Sequence, residues 1–371
     1  MKVGIPSEVK NNEFRVAITP AGVHELVRHG HEVYVQQGAG LGSSITDAEY
    51  VAAGGAILPT ADEVWVIADL LLKVKEPIEE EYHRLRKDQT LFTYLHLAAS
   101  RPCTDALIAS GTTAIAYETV ETADRRLPLL APMSEVAGRL APQVGAYHLM
   151  RAAGGRGVLP GGVPGVAAGK AVVIGGGVSG WNATQIAVGM GFHVTLLDRD
   201  INKLKEADKV FGTKVQTVVS NSFELERACL EADLVIGAVL IPGAKAPKLV
   251  TNELVSRMKP GSVLVDIAID QGGCFEDSHP TTHAEPTFQV HNSVFYCVAN
   301  MPGAVPNTST HALTNATLPY ILELADRGWV EALRRDAALA KGLNTHDGKV
   351  VYREVAEAHG LEHTELSALL G

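Results

Sequence analysis

Six residues, Gly175-Gly176-Gly177-Val178-Ser179-Gly180, restrict this chain to very few folds. They follow Lys170-Ala-Val-Val-Ile174, an apolar, β-branched strand, and they open a helix. Gly175 permits a tight turn, Gly177 lets backbone approach a pyrophosphate, and Gly180 allows close helix–strand contact. Val178 and Ser179 fall in the first helical turn, where free N–H groups and the positive dipole end suit phosphates. Asp198 ends the next apolar run, eighteen positions after Gly180. A carboxylate there can hydrogen-bond both ribose hydroxyls of an adenosine. Together these features indicate a dinucleotide site. Asp198 repels a 2′-phosphate, so NAD is expected over NADP, although Arg199 beside it softens that preference. Flavin and S-adenosylmethionine use the same glycine pattern and stay open at this point.

The rest of the chain repeats the same rhythm. Short apolar runs at Lys2–Ile5, His31–Val35, Leu70–Val74, Leu91–Leu95 and Thr113–Ala116 alternate with helical patterns. A second set follows at 171–174, 193–197, 234–239, 263–269 and 294–298. The fold class is α/β, with two Rossmann-like, doubly wound, mostly parallel sheets. A length of 371 residues agrees, since one hydrophobic core rarely grows past about 250–300 residues. Ser134 opens a helix expected to reach about Arg151 and to kink at Pro142. Past Pro306 the chain reads as one long helix, and the tail reads as mainly helical and too short for a domain. It is expected to return to the first domain. The expected division is therefore 1–129 with 307–371, and 130–306.

The net charge of −10 argues against nucleic acid as a partner, because no basic excess faces the phosphates. No run approaches the ~18 apolar residues of a membrane span, and the first residues show no signal core. Four cysteines without a CxxC pair speak against a disulfide framework or zinc ribbon and for a reducing, cytoplasmic setting. The histidines form no metal-binding pattern.

In doubly wound sheets ligands sit beyond the carboxyl ends of the strands. Asp198, Val239-Leu240, Asp270 and Asn300 all fall at or past such ends. Asp270 would lie near a nicotinamide or, alternatively, cap its own loop. Three basic residues stand out in the first segment. Arg15 can clamp a carboxylate with two parallel hydrogen bonds, or pair with Glu8 or Glu13. Lys75, at a strand end, can donate to a carbonyl oxygen or be simply solvated. His96, at another strand end, suits proton transfer near neutrality or fills a structural role.

Long segments then resemble one family from end to end: GIPSEVKNNEFRVAITPAGV, LLKVKEP, LHLAAS, APMSEVAGRLA, GGVPGV, LVDIAIDQGGCFE and VANMPGAVPNTSTHALTNATLPY. The chain resembles the alanine dehydrogenases. The related first subunit of proton-translocating transhydrogenase looks less similar around LHLAAS and DQGGCFE. The resemblance implies reversible, NAD-dependent conversion of L-alanine and water to pyruvate and ammonium. It implies two Rossmann-like domains with a cleft between them, usually assembled as a homohexamer. Arg15 and Lys75 match substrate-binding positions, and His96 and Asp270 match catalytic ones. Ser134, Asp198, Lys203, Ser220, Val239, Leu240, Ile267, Ala268, Ile269, Asp270, Val298, Ala299, Asn300 and Met301 match cofactor contacts. Three departures stand out. His279 replaces an Arg that contacts cofactor in some relatives. Arg327 stands where some carry a metal-binding His one turn after Glu323, so no metal site is expected. Pro142 is unexpected in the connecting helix. A transhydrogenase NAD-binding subunit and a non-catalytic NAD-binding protein are the rival functions.

Overall fold

The computed structural model describes residues 1–239 and 247–370. The chain divides into two compact units, Met1–Met133 with Val305–Gly371, and Ser134–Ala304. No helix among the described residues is long and apolar enough to cross a membrane.

The first unit is built on β1 (Lys2–Ile5), β2 (Glu32–Gln36), β3 (Ala56–Leu58), β4 (Leu70–Leu72), β5 (Thr90–Thr93) and β6 (Thr113–Ala116). Their order is β3-β2-β1-β4-β5-β6, all parallel. β1, β4, β5 and β6 are largely apolar and almost wholly buried, as expected of parallel strands covered on both faces. The helix Pro20–Arg28 starts at Thr19, whose hydroxyl accepts from Gly22 N–H, with Pro20 in the first turn.

The second unit holds β7 (Lys170–Ile174), β8 (His193–Asp198), β9 (Val215–Val219), β10 (Leu234–Gly237), β11 (Val263–Asp266), β12 (Thr287–Val290) and β13 (Ser293–Tyr296). Their order is β12-β13-β11-β10-β7-β8-β9, parallel except for β12. Both sheets thus reverse direction beside their own first strand, between β1 and β4 and between β7 and β10. Such a switch point is where doubly wound sheets bind ligands.

The tail differs from its helical expectation. Leu343–His346 (β14) and Lys349–Val350 (β15) form an antiparallel hairpin that extends the first sheet beyond β6. Asp347 and Gly348 turn it, with φ of 46° and 78°. Asp-Gly is a strong hairpin signal because both central residues must adopt positive φ. The long helix Pro306–Arg335 is also interrupted. Gly328 (φ 72°, ψ 158°) leaves helical geometry and joins two helical segments. Conversely, the helix Ala131–His148 runs through Pro142 as a single element. It packs closely elsewhere: a Cβ on Gly138 would stand 2.2 Å from Ser179 O.

Several strands are shorter than their apolar runs. β4 stops at Leu72, β5 at Thr93 and β11 at Asp266. In each case the first N–H past the strand still bonds a neighbouring backbone carbonyl, and a carboxylate accepts from those that follow. Glu8 takes those of Val74 and Lys75, Glu118 those of Leu95 and His96, and Asp266 that of Ala268.

Candidate dinucleotide and substrate sites

In the second unit the glycines act as their spacing suggests. Gly175 sits at φ 100°, and a Cβ there would meet Ala238 O at 2.9 Å. On Gly180 a Cβ would stand 1.7 Å from Gly175 O. On Gly177 it would meet nothing within 4 Å, so space is open beside the backbone. Gly177 is the N-cap of the helix Val178–Gly189 and no side chain caps that helix end. The first intrahelical bond is donated by Trp181, leaving the N–H groups of Val178, Ser179 and Gly180 for an anion.

Asp198, largely buried, closes β8. Its Oδ2 accepts from Gly176 N–H at 2.6 Å and lies 3.4 Å from Lys203 Nζ; Oδ1 accepts from Asp200 N–H at 2.8 Å. Those bonds fix the carboxylate against the glycine turn, and Oδ1 keeps acceptor capacity for a hydroxyl. Ser220 donates its N–H to Asp198 O at 2.9 Å. The open backbone at Gly177, the uncapped helix and the anchored Asp198 fit an adenine dinucleotide.

The other strand ends of this unit carry Val239, Ile267–Ile269 and Val298–Met301. Val239 O faces Cys274 Sγ at 3.6 Å, and Ile267 N–H bonds Gly237 O at 2.9 Å. Ala268, Ile269, Val298 and Met301 are buried. Ala299 N–H bonds Thr281 O at 3.1 Å, and Asn300 adopts φ 62°. Leu240 lies outside the described residues. Ser134 is half-buried on the helix Ala131–His148. His279 stacks on Phe288 with ring centroids 3.7 Å apart. Asp270 is exposed on a 3₁₀ turn and has no hydrogen-bond or ion-pair partner among the described residues.

Asp266, not Asp270, is the loop's internal anchor. It is fully buried and accepts from Ala268, Cys274 and Phe275 N–H groups and, at 2.5 Å, from Ser278 Oγ. Burial pushes its carboxyl above the ordinary range, against the pull of those four donors. Asp266→Ala would leave each buried donor unpaired, at about 1–3 kcal/mol apiece. The thermal midpoint is expected to fall by several degrees, with faster proteolysis at 267–278. An unchanged midpoint and cleavage pattern would reject the anchor.

In the first unit, four strand-end segments converge. Arg15 is 2% exposed. Its Nε and Nη2 bond Glu13 Oε1 and Oε2 at 2.7 and 2.5 Å, and Nη1 faces Met133 Sδ at 3.0 Å. The pairing is thus with Glu13 rather than Glu8, and it is buried rather than on the surface. The Nε–Nη2 edge is committed to Glu13, so a two-bond carboxylate clamp would have to use the Nη1–Nη2 edge. Glu8 is buried with Lys73, whose Nζ lies 3.2 Å from Glu8 and 2.9 Å from Glu81. Lys75, two residues on, is half-buried, and its Nζ makes no hydrogen bond or ion pair among the described residues.

Glu76 links Lys75 to His96. Burial raises its carboxyl, but Lys75, Lys10 and His96 outweigh burial and hold it below the ordinary range. A depressed carboxylate stabilises the fold above its unfolded pKa, about 4.3, and loses that contribution as pH falls through the folded value. In Glu76→Gln the acid decline of the unfolding midpoint below about pH 4 should therefore be shallower. Identical acid limbs in both proteins would contradict this sign. His96 has a side chain 42% exposed, lies parallel to Tyr94 with centroids 5.9 Å apart, and adopts φ 48°, ψ 38°. A left-handed, non-glycine residue is uncommon and concentrates at functional sites.

Models of the alanine dehydrogenase/PNT N-terminal and C-terminal domains match residues 4–137 and 141–353. The chain belongs to the alanine dehydrogenase/PNT family. An alanine dehydrogenase of Mycolicibacterium smegmatis is 68% identical over 370 residues, covering 100% of both chains. That of Mycobacterium tuberculosis strain H37Rv is 67% identical with the same coverage. Among solved structures of this family, an L-alanine dehydrogenase superposes with a TM-score of 0.94 at 51% identity, covering 97% of this chain and 99% of that one. A transhydrogenase from Sinorhizobium meliloti gives 0.83 at 26%, covering 95% and 100%.

Beyond Glu13, which the sequence offers as a partner of Arg15, the carboxylates Glu76, Glu118 and Asp266 are set in place by the fold. The signal for Glu118 was present: a carboxylate just beyond a parallel strand, the same rule that selects Asp198. Arg327 stands one turn after Glu323 on the long helix. Its Nε pairs with Glu323 at 2.7 Å, and among the described residues no cluster of three or more His, Cys, Asp or Glu is arranged to hold a metal ion.

Proposed function

We propose that this protein is an NAD-dependent L-alanine dehydrogenase, interconverting L-alanine and water with pyruvate and ammonium. The observation that carries the reading is 68% identity, over the whole of both chains, to an alanine dehydrogenase. The transhydrogenase likeness is weaker in both identity and superposition.

The second unit is the dinucleotide-binding one, with Gly175–Gly180, Asp198, Lys203 and Ser220 as its recognition groups. Val239, Leu240, Ile267–Asp270 and Val298–Met301 supply the strand-end contacts, and Ser134 a further one. NAD, when bound, supplies the hydride acceptor for the alanine Cα, and its reduced form the donor in reverse. The first unit holds the substrate. Arg15, charge-fixed by Glu13, binds the carboxylate. Lys75 donates from Nζ to the oxygen of pyruvate. His96 moves protons as ammonia adds and water leaves. Its Nε2 has no hydrogen bond among the described residues, whereas Nδ1 faces Glu118 Oε1 at 3.9 Å. Asp270 assists water or ammonia from its exposed turn. The reading further includes a cytoplasmic homohexamer, which light scattering of purified protein tests.

The deciding assay follows NADH absorbance with pyruvate, with and without ammonium. Ammonium-dependent loss of NADH is the expected result. NADH binding without turnover would favour a non-catalytic binding protein, and hydride exchange between nucleotides without alanine a transhydrogenase subunit.

A further inference from the structure

Parallel pairing of β5 with β6 sets Thr93 beside Ala116. Both strands end there, so the residues that follow emerge side by side. Glu118 lies in the short turn after β6. Its Oε1 accepts from His96 N–H at 2.6 Å, and both its oxygens lie 3.2 Å from Leu95 N. Two consecutive N–H groups that would otherwise continue the β-ladder are thus turned onto one carboxylate. That turn coincides with the left-handed backbone of residue 96, a conformation that crowds a Cβ against the following carbonyl and persists only where surrounding bonds hold it. A second bond, Ala99 N–H to His96 O at 3.0 Å, closes the 3₁₀ turn beyond it.

The same carboxylate faces the ring. Glu118 Oε1 is 3.9 Å from His96 Nδ1, and Tyr94 lies parallel to the imidazole with an interplanar angle of 8°. Glu118 is mostly shielded, its side chain only 13% exposed, so water competes weakly for it. Glu76 also acts on His96, and it is itself engaged with Lys10 and adjacent to Lys75.

We propose that Glu118 is the positioning residue of His96. It fixes the backbone of residue 96 by two N–H groups and stands on the Nδ1 side of the ring, leaving Nε2 to exchange protons with substrate. In this role Glu118 acts through the imidazole rather than on the substrate itself. This rests on the reading of His96 as the acid/base of an alanine dehydrogenase.

A double-mutant cycle tests it on the full-length protein, with kcat for reductive amination of pyruvate, NADH affinity by fluorescence, and thermal midpoint. Glu118→Ala should lower kcat by about tenfold or more, the range of coupling within one hydrogen-bonded group, with NADH affinity unchanged. In a His96→Ala background the same change should have no further effect on kcat. Glu118→Gln keeps an acceptor without the charge. It should retain the fold, lose part of kcat, and shift the pH profile of kcat. Equal losses from Glu118→Ala in both backgrounds, or a Glu118→Gln enzyme with unaltered kcat and pH profile, would overturn the proposal. The His96→Ala protein alone reports on the underlying reading. If it turns over normally the acid/base assignment falls, whatever the Glu118 variants do.

Discussion

Replacement of His96 by alanine is expected to lower ammonium-dependent NADH oxidation by about 10²- to 10⁴-fold, the usual contribution of a positioned general acid/base. NADH affinity should not change, because Gly175–Gly180 and Asp198 belong to the other compact unit. Thermal stability should not fall either. The ring is partly exposed and makes no hydrogen bond among the described residues, so its removal leaves no buried donor unpaired. Alanine at 96 inherits the same left-handed backbone, so that strain is present in both proteins. A loss confined to kcat, with KM for NADH and the unfolding midpoint retained, is therefore the signature to look for. Wild-type turnover in a folded His96→Ala protein would remove His96 from the chemistry.

The second large effect is expected at the glycine turn, where two neighbouring substitutions should fail differently. In Gly180→Ala the new Cβ meets Gly175 O at 1.7 Å, and the obstacle is backbone, not a side chain that can swing away. Overpacking costs about 1–3 kcal/mol where side chains can relax, and this site offers no such relief. Low solubility or a strongly reduced thermal midpoint, together with lost NADH binding, is the expected outcome. In Gly177→Ala the Cβ enters open space at φ −73°, which any residue adopts. That protein should fold with a normal midpoint yet bind NADH at least about tenfold more weakly, because the methyl occupies the side from which the pyrophosphate approaches the backbone. Titration of both variants by NADH fluorescence, beside thermal melts, separates the two. Wild-type affinity in Gly177→Ala would place the phosphates elsewhere.

The contrast between these predictions follows how information is distributed along the chain. The dinucleotide turn is written locally. A strand, three spaced glycines, a helix start and a strand-ending Asp all fall within residues 170–198, and their constraints are backbone angles and close contacts. The functional side chains of the first unit are not local. Arg15 stands out as a basic residue on a loop, and Lys75 and His96 as basic residues at strand ends, but their partners are set by which strand lies beside which. Glu13 takes Arg15 although Glu8 was an equal candidate, because Glu8 is drawn instead to Lys73 and to the N–H groups of Val74 and Lys75. The captures by Glu8 and Glu118 shorten β4 and β5 below the length of their apolar runs. Hydrophobic periodicity cannot show this, since it registers side chains and not where an N–H is directed.

The C-terminal segment divides the same way. Asp347-Gly348 carried a hairpin signal in the sequence, overshadowed by the helical character of its surroundings. The destination of that hairpin, antiparallel against β6, depended on the free edge of the first sheet. By itself the sequence determined the doubly wound class, the dinucleotide turn and the family, because each rests on contiguous residues whose spacing is their meaning. Only the tertiary structure decided that Glu118 meets His96 across 22 positions and that Glu8 meets Val74 across 66. The reason is physical: a carboxylate reaches an N–H over about 3 Å, and that proximity exists only once the strand order has placed β6 beside β5 and β4 beside β1.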